Sequence, residues 1–152
     1  MAIYITTSRK PSVLTRRLAR WLVALLGGKT ENRGKRSIAE IVERAGALGL
    51  SRVLVIGEDH GNPRKFSFLE GGEWRESMIL SGVESPSDKP RMFSGAGGVG
   101  KDAVGSKVLE LLGVEANASA ELVATASCKE LSFSLRGEPI GPRIKILRLA
   151  EE

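Results

Sequence analysis

The stretch AIYITTSRKPSVLTRRLARWLVALLGG, residues 2–28, decides the fold class. Residues 2–8 alternate and are β-prone, which predicts a strand. A helix then starts at Pro11 or Ser12. Leu14, Leu18, Leu22 and Leu25 recur at helical spacing and make one apolar face. Arg16, Arg17 and Arg20 fall off that stripe, and Gly27-Gly28 stops the helix. A strand feeding into an amphipathic helix is the opening of an α/β unit.

The rest of the chain extends this pattern. GKTENRGKRS (28–37) is a polar connector with room for a short strand at Lys29–Glu31. Ser37-Ile-Ala-Glu40 is a capping box that opens a second helix, with Ile38, Ile41, Val42, Ala45 and Leu48 inward and Gly49 as its stop. RVLVIG (52–57) is an unbroken apolar run of strand length, as expected for a central strand buried on both faces. HGNPRKFSFLEGGEWRESMILSGV (60–83) reads as a β-hairpin turned by Gly-Asn-Pro and Gly-Gly. A third helix is expected from Asp102, as N-cap, to Leu112, with Gly113 as its stop. The strands ELVATASC, LSFSLRG and PRIKILRL follow, with GEPIG as a turn. The order is β-α-(β)-α-β-β-β, a loop, then α-β-β-β. It describes an α/β fold, a mixed sheet with flanking helices in one domain. The N-terminal part covers about residues 1–83, a linker about 84–101 and a C-terminal part about 102–152. Each part has a helix feeding into strands, which gives weak support for internal duplication.

Within the linker, Gly95-x-x-x-x-Gly100-Lys101-Asp102 is one residue away from a phosphate-binding loop. Such a loop wraps phosphates in backbone N–H groups, and its Ser or Thr hydroxyl binds magnesium. Asp102 replaces that hydroxyl, and the preceding SPSDKPRMF is no buried strand. A linker ending in an Asp N-cap is the favoured reading, with a divergent nucleotide-binding loop at 95–102 as the alternative.

Composition narrows the chemistry. Of 152 residues, 41% are hydrophobic and 27% charged, which is ordinary for a globular protein. No apolar run approaches a membrane span, and nothing resembles a secretory signal. Cys128 is the only cysteine, so an intrachain disulfide or a cysteine metal cluster is excluded, and its place in VATASC predicts a buried structural thiol. His60 is the only histidine and falls in a turn, where an exposed polar role is expected; a Ser-His-Asp triad has little material. The chain has no Gln, three Asn, and fifteen Glu against three Asp, a bias that hints at a thermophile.

Charge is concentrated at one end. Residues 1–36 hold nine Lys or Arg against one acid, a net of +8, while the remaining residues hold fourteen against seventeen, a net of −3. This is the footprint of a polyanion partner, with RNA, DNA and acidic lipid all compatible. At the first strand–helix junction, Thr6, Thr7 and Ser8 supply hydroxyls, Arg9 and Lys10 supply charge, and the helix N-terminus supplies N–H groups and a positive dipole end. Together they suit a nucleic-acid phosphate. Aromatics are only 5%, so a base-stacking platform is poorly supported, and backbone contacts to shaped or paired RNA are expected.

Three blocks occur in order between about residues 3 and 149: ITTSRKPSVLTRRLAR with NRGKRS, then VLVIGEDHGNPRKFSF, then GEPIGPRIKILRL. They resemble the Brix domain of eukaryotic and archaeal ribosome-biogenesis proteins, in particular the small-subunit-processome branch and its compact archaeal members. The last block resembles that family's Gly-Pro-Arg segment, likened to a sigma-factor nucleic-acid-binding motif. Residues 84–102 depart from the family pattern. The resemblance implies a fold like the anticodon-binding domain of class II aminoacyl-tRNA synthetases, with two related halves. It implies a cytoplasmic, non-catalytic factor that binds precursor ribosomal RNA and assists its folding or processing, with no cofactor, metal, small-molecule substrate or membrane partner. Assembly proteins are possible further partners, and a docking scaffold for them is a second alternative. The family's basic positions fall on Arg9, Lys10, Arg16, Arg33, Lys35 and Arg143. With their neighbours, the expected RNA-binding set is Thr6, Thr7, Ser8, Arg9, Lys10, Arg16, Arg17, Arg20, Arg33, Lys35, Arg36, Arg143 and Lys145. Arg33 and Arg143 have the fork geometry for phosphate or guanine, and Gly34 and Gly141 would let a backbone approach closely.

Overall fold

Strand β1 (Ile3–Thr7) is buried along its whole length because it is covered from both sides. Ile3 and Ile5 join the larger core, whereas Tyr4 points to the smaller one. The next parallel strand alternates in the same way, with Leu54 and Ile56 on one side and Val53 and Val55 on the other. The computed structural model describes residues 2–93 and 95–151. Met1, Glu152 and Ser94, which falls in the expected linker, lie outside the described residues.

After β1 come α1 (Val13–Leu26), β2 (Gly28–Thr30), α2 (Ile38–Ala47), β3 (Arg52–Asp59), β4 (Asn62–Glu70), β5 (Glu73–Glu84), β6 (Gly97–Gly100), α3 (Ala103–Leu112), β7 (Leu122–Ala126), β8 (Glu130–Leu135), β9 (Glu138–Pro139) and β10 (Arg143–Ala150). One mixed sheet runs β2-β1-β3-β4-β5-β10-β8-β7-β6, with β9 paired to β8. The β1–β2, β1–β3 and β6–β7 pairs are parallel; the other pairs are antiparallel. Helices α1 and α3 pack on one face, in a core with Phe66, Phe68, Met78, Phe133 and Ile144. Among the described residues, α2 is the one helix packed on the other face, through Ile41 and Ala45. The order β1-α1-β3-β4-β5 on one side of the sheet is matched by β6-α3-β7-β8-β10 on the other, and β5 pairs with β10 where the two meet.

Four expectations change. Within 84–101, β5 reaches Glu84 and residues 97–100 form β6, parallel to β7. In β6, glycine is needed for close packing: a Cβ on Gly97 would run into the Asn117 carbonyl, and one on Gly100 into the Ser106 side chain; in α3 a Cβ on Gly105 would run into the Ala126 carbonyl. Leu48 is the C-cap of α2 and is exposed, and Leu50 packs against the smaller core instead. Cys128 is exposed just past β7, because residues 127–130 make the turn into β8, with the Ser127 hydroxyl accepting the Lys129 and Glu130 N–H groups. Gly141 serves packing as well: a Cβ there would lie 2.9 Å from Leu25 Cδ1 on α1. His60 stands 92% exposed beside Asp59, as expected.

Candidate nucleic-acid interface

Adjacent parallel strands β1 and β2 send their following helices to opposite faces of the sheet. The segments that follow their carboxyl ends therefore diverge and leave a crevice, the usual ligand position in an open α/β sheet. A cleft of about 480 Å³ lies there, lined by Thr7, Arg16, Ala19, Arg20, Thr30, Glu31, Asn32 and Arg36. Four of the expected residues thus meet in one place, although Arg16 and Arg20 are far from Arg36 in sequence. Arg16 and Arg20, one helical turn apart, form one wall, and the connector between β2 and α2 forms the other.

The connector is folded by its own arginines. Arg33 donates Nε to the Arg36 carbonyl at 3.0 Å, Arg36 returns its N–H to the Arg33 carbonyl at 3.2 Å, and Arg36 donates Nη1 to the Asn32 carbonyl at 3.0 Å. Burial, together with the nearby charge of Arg9, lowers the Arg33 guanidinium from its ordinary value. Arg16, Arg20 and Arg36 make no ion pair among the described residues. The acid in the cleft, Glu31, is already held by Arg44 at 2.9 Å and by the Tyr4 hydroxyl at 2.8 Å. Those two hydrogen bonds bring its carboxyl down to about 2, while burial and the bond to Glu31 push Tyr4 up to about 12. The cleft therefore presents cations with its one carboxylate internally matched.

Other expected residues sit elsewhere. Thr6 is 1% exposed and donates its hydroxyl to the Glu31 carbonyl at 2.9 Å, so it positions the connector and is not available to a ligand. Thr7 lines the cleft, but its hydroxyl donates to the Ser8 carbonyl; the Ser8 N–H donates to the Ile56 carbonyl. Arg9, Lys10 and Lys35 are exposed and Arg17 is half-buried; none of the four lines the cleft. Arg143 and Lys145 lie on β10, four strands from β1, about 19 Å at the usual strand spacing. Arg143 is also engaged by both oxygens of Glu130.

The helix end expected to meet phosphate is occupied. Glu58 accepts the Ser12 N–H at 2.9 Å and the Thr15 hydroxyl. Burial alone would raise its carboxyl, but the hydrogen bonds from Ser12 and Thr15 prevail and lower it. The same holds at α3, where Asp102 accepts the Gly105 N–H at 2.7 Å and the Cys128 N–H at 2.9 Å. These N–H bonds lower its carboxyl. A carboxylate thus stands where the phosphate of a nucleotide-binding loop would sit. At α2 the Ser37–Glu40 capping box closes the end.

A relative from Methanothermobacter thermautotrophicus, described as a probable Brix domain-containing ribosomal biogenesis protein, is 34% identical over 150 residues, which span 93% of this chain and 94% of its own. The chain belongs to the Brix-domain family. No protein-family model matches it. The Brix-domain assignment agrees with the architecture. The crystal structure of Mil, an archaeal Imp4-like protein, matches with a TM-score of 0.80 at 26% identity over 99% of both chains. That of a probable ribosomal biogenesis protein from Aeropyrum pernix K1 gives 0.77 at 25% identity, over 99% of this chain and 96% of its own. No helix among the described residues of this Brix-domain chain is long and apolar enough to cross a membrane.

Proposed function

We propose that this protein is a ribosome-biogenesis factor that binds precursor ribosomal RNA through the cleft at the ends of β1 and β2, without catalysing a reaction on it. The role in ribosome biogenesis is supported by Brix-family membership and by relatives named for that process. The observation that carries the RNA reading is that three arginines, Arg16, Arg20 and Arg36, line one cleft and make no ion pair among the described residues. Guanidinium forks match phosphate oxygens, and a rigid backbone around them fixes their spacing. Arg9, Lys10, Arg33 and Lys35 lie on the same connectors and extend the field that steers RNA inward. Asp102 and the close glycine packing speak against nucleotide binding at 95–102.

The test is the salt dependence of binding to a precursor-rRNA fragment. Replacing Arg16 and Arg20 together by glutamate removes two phosphate contacts. The slope of log K against log salt should fall by roughly 1.4–1.8, since each contact contributes about 0.7–0.9. An unchanged slope, or wild-type protein that does not bind, would overturn the assignment.

A further inference from the structure

An acid in a cleft built for a polyanion opposes its ligand, and Glu31 lines this one. Its contacts explain its presence. One carboxylate oxygen accepts from Tyr4 Oη at 2.8 Å and from Arg44 Nε at 3.0 Å, and the other accepts from Arg44 Nη2 at 2.9 Å. Its carbonyl takes the buried Thr6 hydroxyl at 2.9 Å, and its N–H reaches the Ile5 carbonyl at 3.4 Å. Glu31 is thus tied to β1 by main chain and side chain, and to α2 by side chain. It is also the residue from which the arginine connector departs.

We propose that Glu31 is a positioning residue for RNA binding: it pins the start of the connector to β1 and α2, so that Arg36 faces Arg16 and Arg20 across the cleft, while Arg44 cancels its charge. The inference rests on the RNA reading of the cleft. It reverses a sign. Electrostatics alone makes removal of a negative charge favourable to RNA. Positioning makes it unfavourable, because a loosened connector must be ordered again on binding. Thr6 separates the two, because Thr6→Val changes no charge, does not alter the cleft lining and removes only the bond to the Glu31 carbonyl.

The experiment measures Kd by fluorescence anisotropy for the full chain and a precursor-rRNA fragment, at several salt concentrations. It compares wild type, Glu31→Gln and Thr6→Val, with Tm and hydrogen exchange over residues 31–36. Tyr4→Phe, which removes only the phenol hydroxyl, replaces either variant if it fails to fold. Phe133→Leu, in the other half of the sheet, controls for loss of stability. Each positioning variant should bind about 3- to 10-fold more weakly with an unchanged salt slope, and residues 31–36 should exchange faster. Phe133→Leu should keep the wild-type Kd. If Glu31→Gln binds as tightly as wild type or more tightly, or if Thr6→Val is silent, positioning is overturned while RNA binding stands. If wild type shows no salt-dependent binding, the RNA reading falls and this inference with it.

Discussion

Glu58 is the residue whose removal tests the internal logic of the first helix. It sits at a β-bulge next to the β3–β4 turn and closes the N-terminus of α1, accepting from the Ser12 N–H and from Thr15, which is fully buried. The Ser12 hydroxyl also donates to the Gly61 carbonyl at 2.8 Å, so the turn and the helix end are one unit. Glu58→Gln removes the charge from two hydrogen bonds, each worth about 1.5–3 kcal/mol when one partner is ionised. The Thr15 hydroxyl retains the Ser12 oxygen at 3.2 Å, and the site is only half-buried. Gln still accepts neutral hydrogen bonds of about 0.5–1.5 kcal/mol each, so roughly 1 kcal/mol is lost per bond and we expect a loss of about 2 kcal/mol, equivalent to roughly 4–8 °C in Tm for a chain of this size.

The pH dependence supplies the sharper criterion. The folded-state carboxyl of Glu58 is lowered from its ordinary 4.5, so its contribution is present in full above that value and is lost as the pH falls below it. Thermal unfolding followed by circular dichroism should show wild type and Glu58→Gln well separated at neutral pH and converging in acid. A difference in Tm below about 1 °C at neutral pH, or one that does not shrink in acid, would refute the capping account. The same variant checks where phosphate goes. With the helix end occupied from within, Kd for RNA should stay within about twofold; a tenfold gain would mean that α1 is itself a phosphate site masked by Glu58.

Two further predictions follow from the packing and the pairing. Gly105→Ala should cost about 3 kcal/mol or more, because the new methyl meets the Ala126 carbonyl where α3 presses on β7; chemical denaturation measures it. Arg143→Ala should change RNA affinity less than about twofold, because its guanidinium is spent on Glu130, whereas Glu130→Gln should free it and tighten binding measurably in the same anisotropy assay.

The features readable from sequence were those determined within one turn of chain. Ser37 and Asp102 cap their helices as expected, and Ser12, one of the two expected starts of α1, is its N-cap, because a cap bonds three residues ahead. The apolar run of β3 is a central strand buried on both faces, as read, with Leu54 and Ile56 in one core and Val53 and Val55 in the other. Features that arise from distant approach were missed. β6 lies in a glycine run that reads as linker, since its reason for glycine is the neighbouring Asn117 carbonyl and the Ser106 side chain. Glu58 gave no sign of capping a helix whose N-cap lies 46 residues earlier. Thr6 looked like a ligand hydroxyl because a strand end is usually open; β2 and the Glu31 carbonyl close it. The joining of Arg36 to Arg16 and Arg20 was legible in principle. It needed the further step that β2 pairs beside β1 and that the two following helices take opposite faces.

The matched halves let the two clefts be compared position by position. Counted from its N-cap Ser12, α1 lines the basic cleft with the residues at the fourth, seventh and eighth following positions: Arg16, Ala19 and Arg20. Counted from Asp102, α3 lines a cleft of about 350 Å³ with Ser106, Leu109 and Glu110, at the same three positions. The segment after each helix closes the neighbouring edge: β2 pairs with β1, and Ala116 bridges to Gly98 of β6. In the first cleft the fourth and eighth positions are both arginine. In the second one is serine, and the other is a glutamate tied to Arg75 and Lys107. The first half also inserts the arginine connector and α2 between β2 and β3, where the second half has only a short turn into β7. The same backbone geometry therefore yields one basic crevice and one without net basic character. Packing demands alone would treat both helices alike at these solvent-facing positions, so the difference in charge between the two clefts does not come from packing, which supports the proposed use of the basic one.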